Sequence, residues 1–452
     1  MSNERGNFGS KIGIVLATAG SAVGLGNVWR FPYMVGEDGG AAFILVYIIC
    51  ILLLGLPGMI CEFIVGRHAQ ANAAAAYDKL SGGRPWKLVG YLGILTSTII
   101  LGFYAVVAGW CLQYLYAALV GQLSGDANYV KDYFVSFSSS PIRPVLFGIA
   151  FILITHLVVV RGVRGGIERA SKTLMPILFL LLLILVVASC LLPGAMEGVR
   201  FLFQPDFSKL SSNVMLDALG QAFFSLSLGT ACLCTYASYF SRDTNLLASA
   251  GQIALLDTMI AILSGLMIFP AAASVGISPD SGPSLIFITL PNVFQQAFAA
   301  MPIAGYVVGV MFFALLVFAA LTSTISMHEI GTAFFTEEWN MPRRRSAWVI
   351  TVVASLICVV CSLSVGAMDE LKLLGVSVMD FCDQLTANFM LPIGALFACL
   401  FVGWYIPRQV AHDEFTNWGT HGQRIFPVFL FAVRYVCPLC IVLVFLHQLG
   451  II

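Results

Sequence analysis

The chain has 452 residues, with 23 basic and 23 acidic side chains and a formal net charge of zero. It is 59% hydrophobic and only 10% charged, which excludes a soluble globular domain and leaves no basic excess for nucleic acid. Repeated apolar stretches of about 20 residues predict an all-α polytopic membrane protein. The twelve cysteines lie mostly inside these stretches, without CxxC…CxxC or Cys/His spacing. They read as membrane-buried thiols, not as a disulfide framework or a metal site. The chain also lacks HExxH, GxSxG and paired carboxylates beside a base, and nothing else in it points to an enzyme.

In chain order the pattern predicts eleven spans, roughly 12–36, 41–70, 88–122, 143–160, 167–190, 214–240, 246–275, 304–336, 346–364, 373–405 and 426–447. A short polar arm precedes the first, and no small-residue cleavage site follows it, so it reads as a retained span and not a signal peptide. Lys and Arg gather in alternate connections, at Arg67, Arg84, Lys87, Arg161, Arg164 and Arg343 to Arg345. The other connections carry carboxylates such as Glu37, Asp38, Asp206 and Asp369. The positive-inside rule then puts the N-terminus in the cytoplasm and, with an odd span count, the C-terminus outside. Arg343-Arg344-Arg345 reads most simply as a topology anchor.

Span 1 carries a fault in its middle. Gly20, Gly24 and Gly26 fall within seven residues, and each weakens a helix by about 1 kcal/mol relative to alanine. A helix broken in hydrocarbon frees backbone groups that only protein, water or a ligand can satisfy. Two readings stay open on the glycines alone: freed carbonyls and amides bind a cation and an anionic group, or the glycines admit a close neighbouring helix. Asn27 and Arg30 at membrane depth favour the first, since polar groups there are costly and usually functional. Span 6 repeats the fault at Ser225-Leu226-Ser227-Leu228-Gly229-Thr230. Interrupted helices five spans apart point to inverted repeats, about 10–190 and 212–405, with a midplane site between them and span 11 as an addition.

Three stretches carry a family resemblance: GSAVGLGNVWRFPY in span 1, FFSLSLGTACLCTYASY in span 6 and AALTSTIS in span 8. They resemble the neurotransmitter:sodium symporter family, in particular its bacterial amino-acid branch, which includes the bacterial leucine transporter. The resemblance covers residues 5 to about 405. It implies a 5+5 inverted-repeat transporter fold with helices 1 and 6 broken, and sodium-coupled uptake by alternating access.

The resemblance also implies site residues. A first sodium would sit among the Ala22 carbonyl, Asn27, Ser225 and Asp257, its shell completed by the substrate carboxylate. A second would use the carbonyls of Gly20, Val23 and Ala319 and the hydroxyls of Thr322 and Ser323. Taken without the family, those two hydroxyls could as well bond back one turn along their helix. Oxygen donors of this kind suit a hard cation. The substrate carboxylate would meet the amides of Leu25 and Gly26 and the Tyr104 hydroxyl, and its ammonium the carbonyls near Ala22, Phe224 and Ser227. Gly24 stands where monoamine carriers of the family have Asp, and leaves room for an α-amino acid. Ser21, Ile100, Phe224, Ser227, Thr230, Ser323 and Met327 would surround the side chain. Asp257 stands where the family usually has Asn, and Ala261 where chloride-dependent members have Ser, while Tyr47, Gln221 and Ser225 match the chloride surroundings. A fixed carboxylate there implies chloride-independent transport and, if it returns protonated, proton antiport.

Gates follow from the charges. Arg30 is expected to face Asp383, with Asp380 one turn away as the alternative, over a lid of Tyr104 and Phe224. On the cytoplasmic side Arg5 is expected to pair with Glu337, near Ser238, Tyr239 and Glu329, and Phe8 replaces the family's Trp. Gly166 and Pro176 in span 5 have the family's Gly-X9-Pro spacing; they read either as an unwinding segment or as an ordinary proline kink. The implied function is sodium-coupled import of a neutral, hydrophobic or aromatic L-amino acid across a bacterial inner membrane. The alternatives are an osmolyte or GABA-type carrier and a non-transporting sensor. The expected partners are the amino acid, sodium ions and the lipid bilayer, with no nucleic acid.

Overall fold

The computed structural model describes residues 7–123, 127–276, 286–368 and 370–448. Arg5 lies outside them, as does Asp369. Among the described residues eight helices are long and apolar enough to cross a bilayer: Ala41–Ala69, Lys87–Leu119, Val163–Cys190, Leu246–Ser274, Pro302–Glu338, Arg343–Leu363, Val378–Tyr405 and Phe426–His447. Two bent pairs meet the same test, Lys11–Ala22 with Gly26–Glu37 at 54° and Asn128–Ser138 with Arg143–Val159 at 75°. That makes up to ten stretches where the sequence predicts eleven. The one that falls short is span 6, because its pieces, Ser212–Ser225 and Cys232–Ala237, are 14 and 6 residues long. A bilayer crossing needs about 20 in one run.

Both faults lie where the sequence puts them. Span 1 leaves the helix at Val23, which is extended at φ −71° and ψ 108°, and resumes at Gly26. Span 6 is unwound from Leu226 to Ala231, and Ser227, Gly229 and Ala231 take φ of 55°, 80° and 61°. Left-handed backbone at the two non-glycine positions costs on the order of 1 kcal/mol each, so surrounding contacts must hold it. At Gly229 a side chain has no room: a Cβ would run into the Leu391 carbonyl of span 10.

Span 1 packs against spans 5, 7 and 8, and span 6 mainly against span 2, so both broken helices are walled in by unbroken ones. Large apolar side chains left exposed, among them Leu52, Leu180, Leu356 and Val428, face outward where lipid would meet them. Span 10 starts later than expected, at Val378, because residues before it form a short antiparallel ladder, Lys372 opposite Ser377 and Leu373 opposite Val376. Short helices outside the spans, Ala73–Ser81, Ala195–Phe203, Thr289–Ala297 and Arg408–Thr416, are too brief for the 20-residue apolar pattern to reveal.

Candidate functional site

The two breaks meet at a small hollow of about 50 Å³. Ser21, Ala22, Gly24, Gly26, Ile100, Tyr104, Phe224, Ser227, Thr230, Ser323 and Met327 all line it. Leu25 does not, but its amide donates to the Tyr104 hydroxyl at 3.0 Å. Two roomier cavities, about 300 and 510 Å³, lie away from the breaks, so chemistry marks this site, not volume. The missing Cβ at Gly24 matters: one there would press on the Ser323 hydroxyl and lie 3.0 Å from the Tyr104 oxygen.

The hydroxyls around the hollow are mostly spent on backbone. Ser21 donates to Thr18 O at 2.7 Å, Ser227 to Ser21 O at 3.1 Å and Thr230 to Ser227 O at 2.7 Å. With those donors occupied, the wall facing the hollow is in effect that of Ile100, Phe224, Met327 and Leu391, the last of which the sequence reading omits along with Cys232 and Ser326.

At one end of the hollow lies a fully buried polar cluster. The Asn27 amide donates to Asp257 Oδ1 at 2.7 Å, to Asp257 O at 3.1 Å and to Ser225 Oγ at 3.2 Å. Ser225 donates to Asp257 Oδ2 at 2.7 Å and Tyr47 to the same oxygen at 3.2 Å. Asn27 Oδ1 turns back to accept from the Gly24 amide at 3.1 Å. The Gln221 Oε1 atom is buried with no hydrogen-bond partner among the described residues. These groups are all oxygens or amides, and Asp257 brings a negative charge, so the set suits a hard cation.

Beside span 8 the second cluster also assembles. Thr322 Oγ1 lies 3.2 Å from Val23 O, and Ser323 Oγ lies 3.4 Å from the same carbonyl. Thr322 also bonds back along its own helix, to Ala319 O at 2.9 Å and Phe318 O at 3.3 Å. Gly20 is adjacent, since a Cβ there would lie 3.4 Å from the Thr322 Cβ. Both readings of these hydroxyls therefore have their geometry, and Val23 and Ala319 turn carbonyls toward one point.

The charged residues are arranged less simply than the sequence suggests. The Arg30 guanidinium lies 4.4 Å from the Phe224 ring centroid, an attractive placement, but Arg30 forms no ion pair among the described residues. The carboxylates acting on it are Asp383 and Asp217. Asp380 is turned away, accepting from Ser377 Oγ at 2.7 Å. The sequence signal for Asp217 is a carboxylate about one turn into an otherwise apolar span.

Where the N-terminal arm meets spans 6 and 8, Tyr239 donates to Glu329 Oε1 at 2.8 Å, and Phe8 packs edge-on to Tyr236 and Tyr239 at 5.9 and 6.1 Å. Glu337 accepts from the backbone and side chain of Asn72, at 2.6 and 3.2 Å; its expected partner Arg5 lies outside the described residues. Arg343 departs from its reading as a topology anchor. It clamps the fully buried Glu329 with two nitrogens, one at 3.0 Å, and donates to Val159 O. A buried carboxylate needs such a partner.

Two residues that hold the span 6 break escape the sequence reading. Glu62 of span 2, only 2% exposed, accepts from the Gly229 amide at 2.8 Å and the Cys234 amide at 3.3 Å. Ser97 of span 3 donates to Thr230 O at 2.6 Å. The signal for Glu62 is present, a lone carboxylate inside a 29-residue apolar helix, but its partners lie more than 160 positions away along the chain.

Comparison with known proteins agrees with this geometry. The model of the Sodium:neurotransmitter symporter family matches residues 5–134 and 143–451. The chain is similar to an uncharacterized sodium-dependent transporter, YhdH, of Bacillus subtilis, 40% identical over 98% of each chain. It is 34% identical to an uncharacterized sodium-dependent transporter of Haemophilus influenzae over 99% of this chain and 98% of that one. At 23% identity it resembles the human Sodium- and chloride-dependent GABA transporter 2 over 99% of this chain and 80% of that one. Among solved structures it resembles MhsT in complex with L-phenylalanine, with a TM-score of 0.90 and 40% identity over 98% of this chain and 100% of that one. The chain therefore belongs to the sodium:neurotransmitter symporter family, and is a multi-pass, sodium-dependent membrane transporter and not an enzyme.

Proposed function

We propose that this transporter is a sodium-coupled symporter that imports a neutral, hydrophobic or aromatic L-amino acid by alternating access, without chloride. One observation carries the reading. The hollow at the two breaks joins a cationophilic cluster around Asp257 to exposed backbone ends and an apolar wall. An α-amino acid needs all three: a cation and amides for its carboxylate, carbonyls for its ammonium, and apolar surface for its side chain. The solved relative MhsT was captured with L-phenylalanine, which supports the substrate class.

In this reading the first sodium takes oxygens from Ala22, Asn27, Ser225 and Asp257, and the substrate carboxylate closes the shell. Binding of ion and substrate is then directly linked. The second takes Gly20, Val23, Ala319, Thr322 and Ser323, and so ties span 1 to span 8. Gly24, Leu25, Gly26 and Tyr104 hold the carboxylate, which replaces the bond between Leu25 and Tyr104. Ser21, Ile100, Phe224, Ser227, Thr230, Ser323 and Met327 shape the side-chain pocket. Arg30 closes toward Asp383 above Phe224. Tyr239 belongs to the cytoplasmic gate, where Arg5 would meet Glu337. Asp257 already gathers the donors of Asn27, Ser225 and Tyr47, the kind of cradle a chloride ion would otherwise occupy. The repeats run over about 10–190 and 212–405, and the chain sits in a bacterial inner membrane with its N-terminus inside and its C-terminus outside after eleven crossings.

The test is a panel of unlabelled amino acids, GABA and betaine competing against labelled phenylalanine, with chloride then replaced by gluconate. Displacement by neutral apolar amino acids alone, with uptake unchanged in gluconate, is the expected result. Displacement by GABA or betaine but not by apolar amino acids would overturn the substrate assignment. A large fall in gluconate would overturn the chloride assignment.

A further inference from the structure

The connection between the short helix Ala73–Ser81 and span 3 carries a feature that transport does not use. Beside it lies a cavity of about 510 Å³, well within the size range of ligand pockets. Leu88 and Val89 in the first turn of span 3 and Phe397 of span 10 form its apolar sides. Trp86 and Tyr405 stand across from each other with ring centroids 5.1 Å apart. Arg84 closes the rim, its guanidinium 5.7 Å from the Tyr405 ring centroid.

Arg84 is exposed and has no carboxylate partner among the described residues. The Tyr405 hydroxyl is already donated to Ser81 O at 3.1 Å, so the positive charge of the rim is unanswered. Leu88, Tyr91 and Leu95 continue as an exposed apolar stripe along span 3, at 61%, 40% and 54% exposure. The slot therefore opens toward the hydrocarbon. A pocket that is apolar along its length, cationic at one end and flanked there by Trp and Tyr is complementary to an amphiphile with an anionic head. A free anion would leave the apolar length unfilled.

We propose that this cavity binds one anionic phospholipid of the cytoplasmic leaflet. Its phosphate pairs with Arg84, Lys87 supplies a second exposed cation nearby, and an acyl chain lies along Leu88, Val89 and Phe397. The assignment of leaflet rests on the orientation proposed above; the binding itself does not. A lipid held there bridges the cytoplasmic ends of spans 3 and 10.

Native mass spectrometry of the full-length protein in detergent tests it, with phosphatidylglycerol and phosphatidylcholine of identical acyl chains supplied in equal amounts. The protein is expected to retain one phosphatidylglycerol with a preference of about fivefold or more, the effect of one cation at a membrane surface. Arg84→Gln should bring that preference close to one, Trp86→Ala should weaken retention of both lipids, and Arg161→Gln should change nothing. Equal retention of the two lipids by the unmodified protein, or an intact preference in Arg84→Gln, would overturn the proposal. Displacement of the lipid by millimolar inorganic phosphate would overturn it too, in favour of a simple anion site. Detergent has no sidedness, so the outcome is independent of orientation. Sodium-driven uptake by the same variants, expected near that of the unmodified protein, reports separately on the transport reading.

Discussion

Spans 1 and 6 break beside the same hollow, yet they are held open in different ways. The span 1 break takes three residues, 23–25, and none of them is left-handed. Its partners are groups a ligand would also use: Asn27, the Tyr104 hydroxyl, Thr322 and Ser323. The span 6 break takes six residues, 226–231, with three left-handed among them. It is fixed from behind by Glu62 and Ser97, which do not line the hollow. In the proposed reading, span 1 is therefore the half of the site that ions and substrate complete, and span 6 the half that the protein completes by itself. Variants at the first should alter transport before stability; variants at the second should do the reverse.

The largest effect is expected at Asp257. Asp257→Asn leaves a bound cation short of its one carboxylate but keeps an oxygen to accept from Asn27, and breaking a buried charge pair costs about 3–5 kcal/mol, roughly 200- to 5000-fold in affinity. Sodium-driven uptake should fall by that order while the thermal midpoint in detergent changes little. Asp257→Asn combined with Ala261→Ser should restore part of the uptake, now dependent on chloride. Uptake unaffected by loss of the carboxylate would remove the first sodium site.

Glu62 is the matching test for span 6. Glu62→Leu leaves the Gly229 and Cys234 amides without acceptors, at about 1–3 kcal/mol each. The thermal midpoint should drop markedly, and Glu62→Gln, which keeps one acceptor oxygen, should lose about half as much. An unchanged midpoint in Glu62→Leu would show that the break is held by something else.

A smaller effect separates the two readings of span 8. Thr322→Val with Ser323→Ala removes two hydroxyl ligands, each worth about 1.5–3 kcal/mol if bonded to a charge. The sodium concentration for half-maximal uptake should then rise by about tenfold or more. If the hydroxyls serve only their own helix, the sodium dependence will stay where it is.

The smallest effect sharpens the comparison where the end of span 1 meets the start of span 6. Asp38, just past span 1, has its carboxyl pushed up to about 7, first by desolvation and then by Asp217 of span 6 and Glu37. Its proton is thus held more tightly folded than unfolded. The stability this gives is complete below pH about 4 and is lost as pH rises to about 7. Asp38→Asn should raise the thermal midpoint by about 1–3 °C at pH 8 and leave it unchanged at pH 4. An equal shift at both pH values would mean that Asp38 is not protonated in the folded state near neutrality.

The two spans also differed in how much of them could be read beforehand. Three glycines and the polar Asn27 mark the span 1 break, and its partners follow from the family motif. The span 6 break is marked by Ser225, Ser227 and Gly229, but Ser227 and Ala231 show no sign of left-handed backbone in their side chains. Tertiary contacts impose it. Glu62, Asp217 and Arg343 are visible as charges in or beside apolar runs, yet each finds its partners through packing of distant spans, and sequence spacing holds no record of that. Asp383 and Asp380 look alike in sequence; the local cap by Ser377 sets Asp380 apart. The breaks and the residues around the hollow were legible where residue type departs from an apolar span, and the supports behind them were not.

Proteoliposomes loaded with choline and diluted into sodium buffer give the most direct measurement of the central claim. Labelled phenylalanine should accumulate above its external concentration only while sodium is higher outside, and the accumulation should collapse when gramicidin dissipates the gradient. Equilibration without accumulation, or accumulation of the same size in external choline, would contradict the view that the two broken helices bind sodium and an amino acid together.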